Sequence, residues 1–564
     1  MTRRIVSGRI IGSTALNRRE FLRTSALAAG ALAVPFGSGL AGPGIHVPGR
    51  DVVFRPYPHP YMPELTWAYA ADEFEDPYVS PMSVAKDGIV IPDTFGNRRF
   101  SVNARWYVEG FGYVWLSADN GGRKFTRDEA ARSGTFHLNY EFARSRIARN
   151  REVLKRYTSE GTVFSPETRH LTDLSEELFE DAGKQSGDGE RTGRLSDACL
   201  KYALWAGEKM ELEKARWDIA RNTRIERVKF GCETRQYVWA KSEDMTKRFV
   251  AVMNNATITH YVWDTWYELF EPKEGVHNWG IKDNIVRWLK EHDITIEGRP
   301  LFWFHPAVTP DWLRRKSFEE LKVYVDRHAR ELVGHYGDDI LEWEVVNEYH
   351  DWANIHNHTP DQITEIVRLA CDITHEVNPK VSRLLNNCCP WAEYAARGRM
   401  AGLDATRPLR SPRKFLHDIA DAGVEYDVLG VQIYFPQRDL SDIVRLLERL
   451  AVLGKPMAIT EIGASSNLHT TSPSGAVTGN QSEPYAWHRE WDEELQADWL
   501  EQVYTIFYSK PYIKAINWYD FSDFRPFIAN GGLIHEDASP KRAYHRLQGL
   551  LDSWGMLPGA PTSQ

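Results

Sequence analysis

Two acidic side chains stand where an acid needs a reason. The segment Trp343-Glu-Val-Val-Asn-Glu348 and the segment Ala458-Ile-Thr-Glu461 each run through apolar, β-prone residues and finish in a glutamate. Such runs read as buried strands, and taking a carboxylate out of water is costly unless something compensates. A salt bridge or a helix cap accounts for either glutamate alone. Both together point to a working pair: one carboxyl keeps its proton for a leaving oxygen, the other stays ionised and attacks carbon. That is the chemistry of glycosidic bond cleavage. A separation of ~5–5.5 Å between the carboxyls implies a covalent glycosyl intermediate and net retention. Asn347, beside Glu348, is placed to donate to a sugar 2-hydroxyl.

Bringing two such strand ends together takes a closed architecture. From about residue 226 strand-like runs recur at 227–232, 256–263, 294–303, 341–347, 382–387, 428–434, 456–461 and 514–519. Amphipathic helical stretches separate most of them, at 279–291, 317–336, 360–377, 440–453 and 496–508. Eight strands alternating with helices predict an α/β chain whose catalytic domain, residues 226–556, is a (β/α)₈ TIM barrel. In that fold chemistry sits at the C-terminal ends of the strands, and the fourth and seventh strands, which carry the glutamates, face each other.

The remainder has a different texture. Residues 1–41 contain Arg18-Arg19, Phe21-Leu22 and a short apolar run from Ala26 to Val34. This reads as a twin-arginine export signal, too short to span a bilayer, so the mature chain is expected in the periplasm or secreted, with no membrane attachment after signal removal. Residues 50–125 are rich in Pro, Gly and aromatics, with alternating segments at 100–108 and 113–116 and a turn at Asp119-Asn-Gly-Gly122. They predict a β-rich, sandwich-like domain that could bind carbohydrate. Residues 126–225 read as a helical connector in which 180–194, polar and Gly-rich, is a flexible loop.

Bulk properties narrow the partners. The chain has 564 residues, too many for one ordinary core. Its formal net charge is −9, and no basic run lies beyond the first 25 residues, which argues against nucleic acid. Five cysteines in no metal-type spacing predict free or buried thiols, no metal and no cofactor. The 20 Trp, 24 Tyr and 24 Phe are enough both for a large core and for a cleft in which sugar faces pack on rings. A polysaccharide or oligosaccharide is the expected partner. The oligomeric state is not legible.

Residues 226 to 556 resemble glycoside hydrolase family ten, the endo-β-1,4-xylanase family. Phe230-Gly-Cys232 resembles the opening strand of the family, and Glu271-Pro272 followed by Trp279 its E-P-x(n)-W element. Gly298–Trp303 and Thr309-Pro-Asp-Trp312 resemble the G-H-x-L-V-W and T-P-x-W segment. Trp343–Glu348 resembles W-D-V-V-N-E, Gly430-Val-Gln432 G-x-Q, Ile459-Thr-Glu461 I-T-E, and Ile516–Asp523 the eighth strand. The elements occur in the family's order. The resemblance implies Glu348 as acid/base, Glu461 as nucleophile, Asn347 as the 2-hydroxyl partner, and Gln432 as a group positioning nucleophile and sugar.

The departures fall among sugar contacts. Trp266 stands at a family Lys, Arg299 at a His, Tyr434 at the His of Q-x-H, and Tyr519 at a Trp following Trp518. The catalytic machinery is kept while the recognition shell changes, which points away from xylan itself. Arg299 is read either as a contact for an acidic or substituted sugar or as the partner of a protein carboxylate. His305 takes the place of a displaced family histidine or is structural, and Trp303 and Trp312 are read as walls of the cleft, with the core as the alternative for Trp303. The long segment 464–490 and the following Trp491 shape access; Tyr485, Trp487, His488 and Trp491 would cover one side and leave a pocket acting on chain ends. The alternative reading is a carbohydrate-binding protein that kept the barrel and lost turnover.

Overall fold

The computed structural model describes residues 51–558 apart from 58–64, 66, 86–87, 97, 186, 222–227, 238–241, 264–268, 402, 435–437 and 468–486. The expected export signal lies outside the described residues. Among the described residues no helix is long and apolar enough to cross a membrane.

Eight parallel strands close into a barrel: Lys229–Glu233, Asn255–Thr259, Thr295–Arg299, Glu342–Asn347, Ser382–Asn387, Val428–Tyr434, Met457–Gly463 and Ile513–Trp518, the last pairing with the first. Each is almost wholly buried, because helices cover the outside and side chains fill the inside. The third strand passes close to the fourth at Gly298, where a Cβ would meet the Trp343 ring at 2.5 Å. Register shifts between Glu344 and Val346 and between Ile459 and Ile462 bend the fourth and seventh strands near their ends.

The covering helices begin where the side chains dictate. Ser317 with Glu320, and Thr359 with Gln362, form reciprocal capping boxes for helices Phe318–Tyr336 and Pro360–Val377. Asp439 caps Leu440–Ala451 by accepting from the amides of Ser441 and Asp442. The same carboxylate is paired with buried Arg146 of the N-terminal part.

The N-terminal part holds two four-stranded sheets. One runs in the order 83–85, 88–91, 52–55, 135–137, the other 77–78, 68–71, 101–108, 112–118. Phe54, Ile89, Phe100, Trp106 and Val114 belong to one core between them, so the expected β-rich domain is present. Helices Leu138–Ser159, Pro166–Lys184 and Gly189–Arg221 follow.

The segment 180–194 corrects an expectation. Helix runs to Lys184 and resumes at Gly189, leaving a linker of only a few residues where a flexible loop was expected. Gly193 is there for fit: a Cβ would lie 2.6 Å from the Tyr57 side chain. A small residue at a close crossing looks, in sequence, like a flexible one.

Half-buried ion pairs and a buried hydrogen bond dock this part on the barrel. Arg445 and Arg449 reach Glu75, Arg413 reaches Asp76 (3.1 Å from Nε), and Arg438 donates to the Tyr69 hydroxyl (3.1 Å). Trp487 and His488 both bind Glu208 of the long helix, and the His488 amide donates to the Phe111 carbonyl.

Candidate active site

Glu348 immediately follows the fourth strand. Its backbone is left-handed, with φ of 58°, a conformation a non-glycine residue holds only where its surroundings enforce it. Here its N–H donates to the Asn386 carbonyl (2.9 Å) and its carbonyl accepts from Ala353 (2.9 Å). The turn aims the carboxyl into the mouth of the barrel, where it accepts from Trp303 Nε1 (2.8 Å) and Gln432 Nε2 (2.9 Å). Burial pushes the Glu348 pKa up to about 7, and the negative charge of Glu461 adds to the rise. The Gln432 and Trp303 donors and the Arg299 cation pull the other way.

Glu461 lies within the seventh strand, opposite Gln432 in the sixth. One carboxyl oxygen accepts from the Arg299 guanidinium and from Asn386 Nδ2 (3.3 Å), the other from the Tyr434 hydroxyl (2.6 Å). Every partner donates, an arrangement that fits a carboxylate acting as acceptor only. Arg299 also sets Nε 3.3 Å from Glu344, itself fully buried, and Asn386 donates to Glu344 at 2.9 Å. The polar side chains below the mouth thus form one connected layer.

Both glutamates line a cavity of about 620 Å³, a size suited to a small ligand. Of the residues expected to touch a sugar, Asn347, Trp303, His305, Gln432, Tyr434 and Tyr519 line it too. His305 stacks on Trp303 (centroids 4.9 Å apart), and burial, with the Arg314 charge behind it, lowers its pKa to about 4.

Four expectations are corrected. Arg299 is fully buried, spends its guanidinium on Glu461 and Glu344 and does not line the cavity, so of its two readings the partner of protein carboxylates stands and the sugar contact falls. Trp518 points into the core, donating to the Gly531 carbonyl (2.8 Å). Trp312 packs edge-on against Tyr324, off the cavity wall. Trp487, His488 and Trp491 do not roof the cleft: the first two clamp the barrel to the N-terminal helix, with His488 against Trp205 and Phe111, and Trp491 stacks behind Trp487. Trp266 and Tyr485 lie outside the described residues.

Several contributors were not foreseen. Arg235 and Tyr261 at the ends of the first two strands, and Phe527 after the eighth, line the cavity. So do Trp352, Cys388, Cys389 and Trp391 after the fourth and fifth strands. The rule that barrel chemistry sits at strand ends could have found Arg235, Tyr261 and Asn386. No local signal could have found Trp67 and Trp115 of the N-terminal part, which line it as well. All five cysteines are free. Glu271, His277 and His328 bring ligand-type atoms within 4.8 Å of one another. None of them lines the cavity, and Glu271 there already accepts from Tyr324 (3.0 Å), Arg327 (3.4 Å) and the Gly275 amide (2.7 Å).

The family model described as glycosyl hydrolase family 10 matches residues 222–549. A β-1,4-xylanase of Dictyoglomus thermophilum is 24% identical over 35% of this chain and 54% of its own length. Endo-1,4-β-xylanase A of Halalkalibacterium halodurans is 24% identical over 43% of this chain and 61% of its own length. The match therefore spans little more than half of these relatives. Among solved structures, xylanase 10B of Thermotoga petrophila in complex with xylobiose aligns with a TM-score of 0.44 at 19% identity, covering 59% of this chain and 98% of that one.

Proposed function

Because this chain belongs to glycosyl hydrolase family 10, we propose that it is a retaining β-glycosidase acting on a β-linked plant-type polysaccharide or oligosaccharide. The observation that carries the reading is the unequal pair in one cavity. Glu348 has its pKa raised to about 7, while Glu461 is met by three donors.

A sugar bound between them reacts in two steps. Glu461 attacks the anomeric carbon, the bond to the leaving oxygen breaks, and the Glu348 proton goes to that oxygen. Water then enters; Glu348, now ionised, takes its proton as the water oxygen displaces Glu461 from the anomeric carbon. Two inversions give retention, with Asn347 and Gln432 beside the sugar. The similarity to β-1,4-xylanases supports β-1,4-xylo-oligosaccharides as the first substrates to assay. The Arg18-Arg19 signal supports export in the folded state to the periplasm or beyond.

Glu461→Ala tests the mechanism. Turnover of an activated aryl β-xyloside should fall by at least ~10³-fold and be restored by azide, yielding a glycosyl azide of inverted configuration. Normal turnover in that variant, or a wild-type product of inverted configuration, would overturn it. Binding of glycans without any product would favour a carbohydrate-binding barrel instead.

A further inference from the structure

The cavity wall on the side of the fifth and sixth strands is not made by the barrel alone. Tyr69 and Ala71 share one face of the strand 68–71, Trp67 just before it packs on the same side, and Trp115, two strands across in the same sheet, stands beside them. These rings form a cluster separate from the core of their own domain. Trp67 and Trp115 meet edge to face, with centroids 5.3 Å apart.

Arginines interleave with these indoles. Arg397 covers Trp67 at 4.1 Å, and Arg438 lies 5.2 Å from Trp115 and 5.0 Å from Trp391. Arg438 is held by Glu393 and by the Tyr69 hydroxyl. Arg397 is exposed, and among the described residues no carboxylate lies within ion-pairing distance of it. The docking pairs of Glu75 and Asp76 fix this wall relative to the two glutamates. None of its five rings and cations that line the cavity, Trp67, Trp115, Trp391, Arg397 and Arg438, bonds Glu348 or Glu461, whose partners are Trp303, Gln432, Arg299, Asn386 and Tyr434.

We propose that Trp67, Trp115, Trp391 and Arg397 form a distal subsite for a pyranose of the substrate beyond the unit held by the two glutamates, so that the N-terminal domain takes part in recognition. An indole set in a water-filled cavity is unfavourable until an apolar surface covers it, and the C–H face of a pyranose is such a surface. Arg397 supplies the outward-facing donors that ring hydroxyls need. The inference rests on the glycosidase reading for the identity of the ligand, but its test does not depend on turnover.

Binding is measured by calorimetry on the full chain carrying Glu348→Gln, with xylobiose, xylotetraose and cellotetraose as probes. Adding Trp67→Ala should weaken the better-bound tetrasaccharide roughly tenfold or more, and change xylobiose affinity far less. Arg397→Ala, at an exposed position and so harmless to folding, should give a smaller loss in the same direction. Equal losses for the disaccharide and the tetrasaccharide, no loss for the tetrasaccharide in either variant, or no binding of any probe would overturn the subsite. A selective tetrasaccharide loss without azide rescue in Glu461→Ala would keep the subsite and remove the glycosidase. The converse pair of results would keep the glycosidase and remove the subsite.

Discussion

The Arg299 guanidinium lies beneath Glu461 and donates to it, while its Nε is 3.3 Å from Glu344. All three side chains are buried, and the charges of Glu461 and Glu344 hold Arg299 well above its usual pKa. One cation thus serves two acids that would otherwise repel each other in a site shielded from water.

Removing that cation should be expensive. Arg299→Met strands two buried carboxyls and should destabilise the fold by ~3–5 kcal/mol, read as a shift in urea midpoint at pH 7. Adding Glu344→Gln should recover little of the loss, because burial, with the charges of Glu297, Glu461 and Glu348, already pushes the Glu344 carboxyl well above its usual pKa toward the neutral acid. Arg299→Lys should not restore stability fully, since a single ammonium cannot span both acids. An unchanged midpoint in Arg299→Met would contradict the pairing.

Tyr434 makes the 2.6 Å hydrogen bond to the second oxygen of Glu461. Tyr434→Phe keeps the ring contacts with Tyr519 and Phe527 and deletes that donor. We expect kcat on an aryl glycoside to fall ~10–100-fold with KM little altered, the mark of a contact that matters in the transition state. A change confined to KM would assign Tyr434 to binding alone.

The protonation of Glu348 sets the pH dependence. With its pKa at about 7, the acid form is lost as pH rises through that value, so kcat/KM should fall on the alkaline side near pH 7. His305 does not supply this limb, because its pKa of about 4 leaves it neutral there. In Glu461→Gln the neighbouring charge is gone, and the Glu348 carboxyl, followed by ¹³C NMR, should titrate at lower pH. Stability carries the same signature with a definite sign. The folded state holds the Glu348 proton above the unfolded carboxyl range, so wild type loses stability between about pH 4.5 and 7. Glu348→Gln should therefore gain stability relative to wild type at pH 8, and the difference should shrink toward pH 4. A melting curve difference independent of pH would count against the raised pKa.

The barrel was legible because its parallel strands are buried on both faces, which writes long apolar runs into the sequence. The strand Val428–Tyr434 begins and ends where such a run does. Glu348 and Glu461 stood out for the same reason, as acids closing apolar runs. Orientation was harder. Successive strand residues face opposite ways and register shifts break the count, so Trp518 turned inward while Tyr519 reached the cavity. Arg299 carried two readings because its partners are distant in the chain: Glu461 lies 162 residues on. The wall of Trp67 and Trp115 depends on docking between domains, and no periodicity encodes that.

Cutting the chain back to residues 222–549 would yield a different molecule from the one the whole chain builds. Arg413, Arg445 and Arg449 would lose Asp76 and Glu75, and Glu208 would no longer reach Trp487 and His488. A cluster of stranded cations would face solvent beside a cleft breached on one flank. For anyone engineering this scaffold, the smallest sensible unit is set by the charges that tie its two halves together, not by the borders of the barrel.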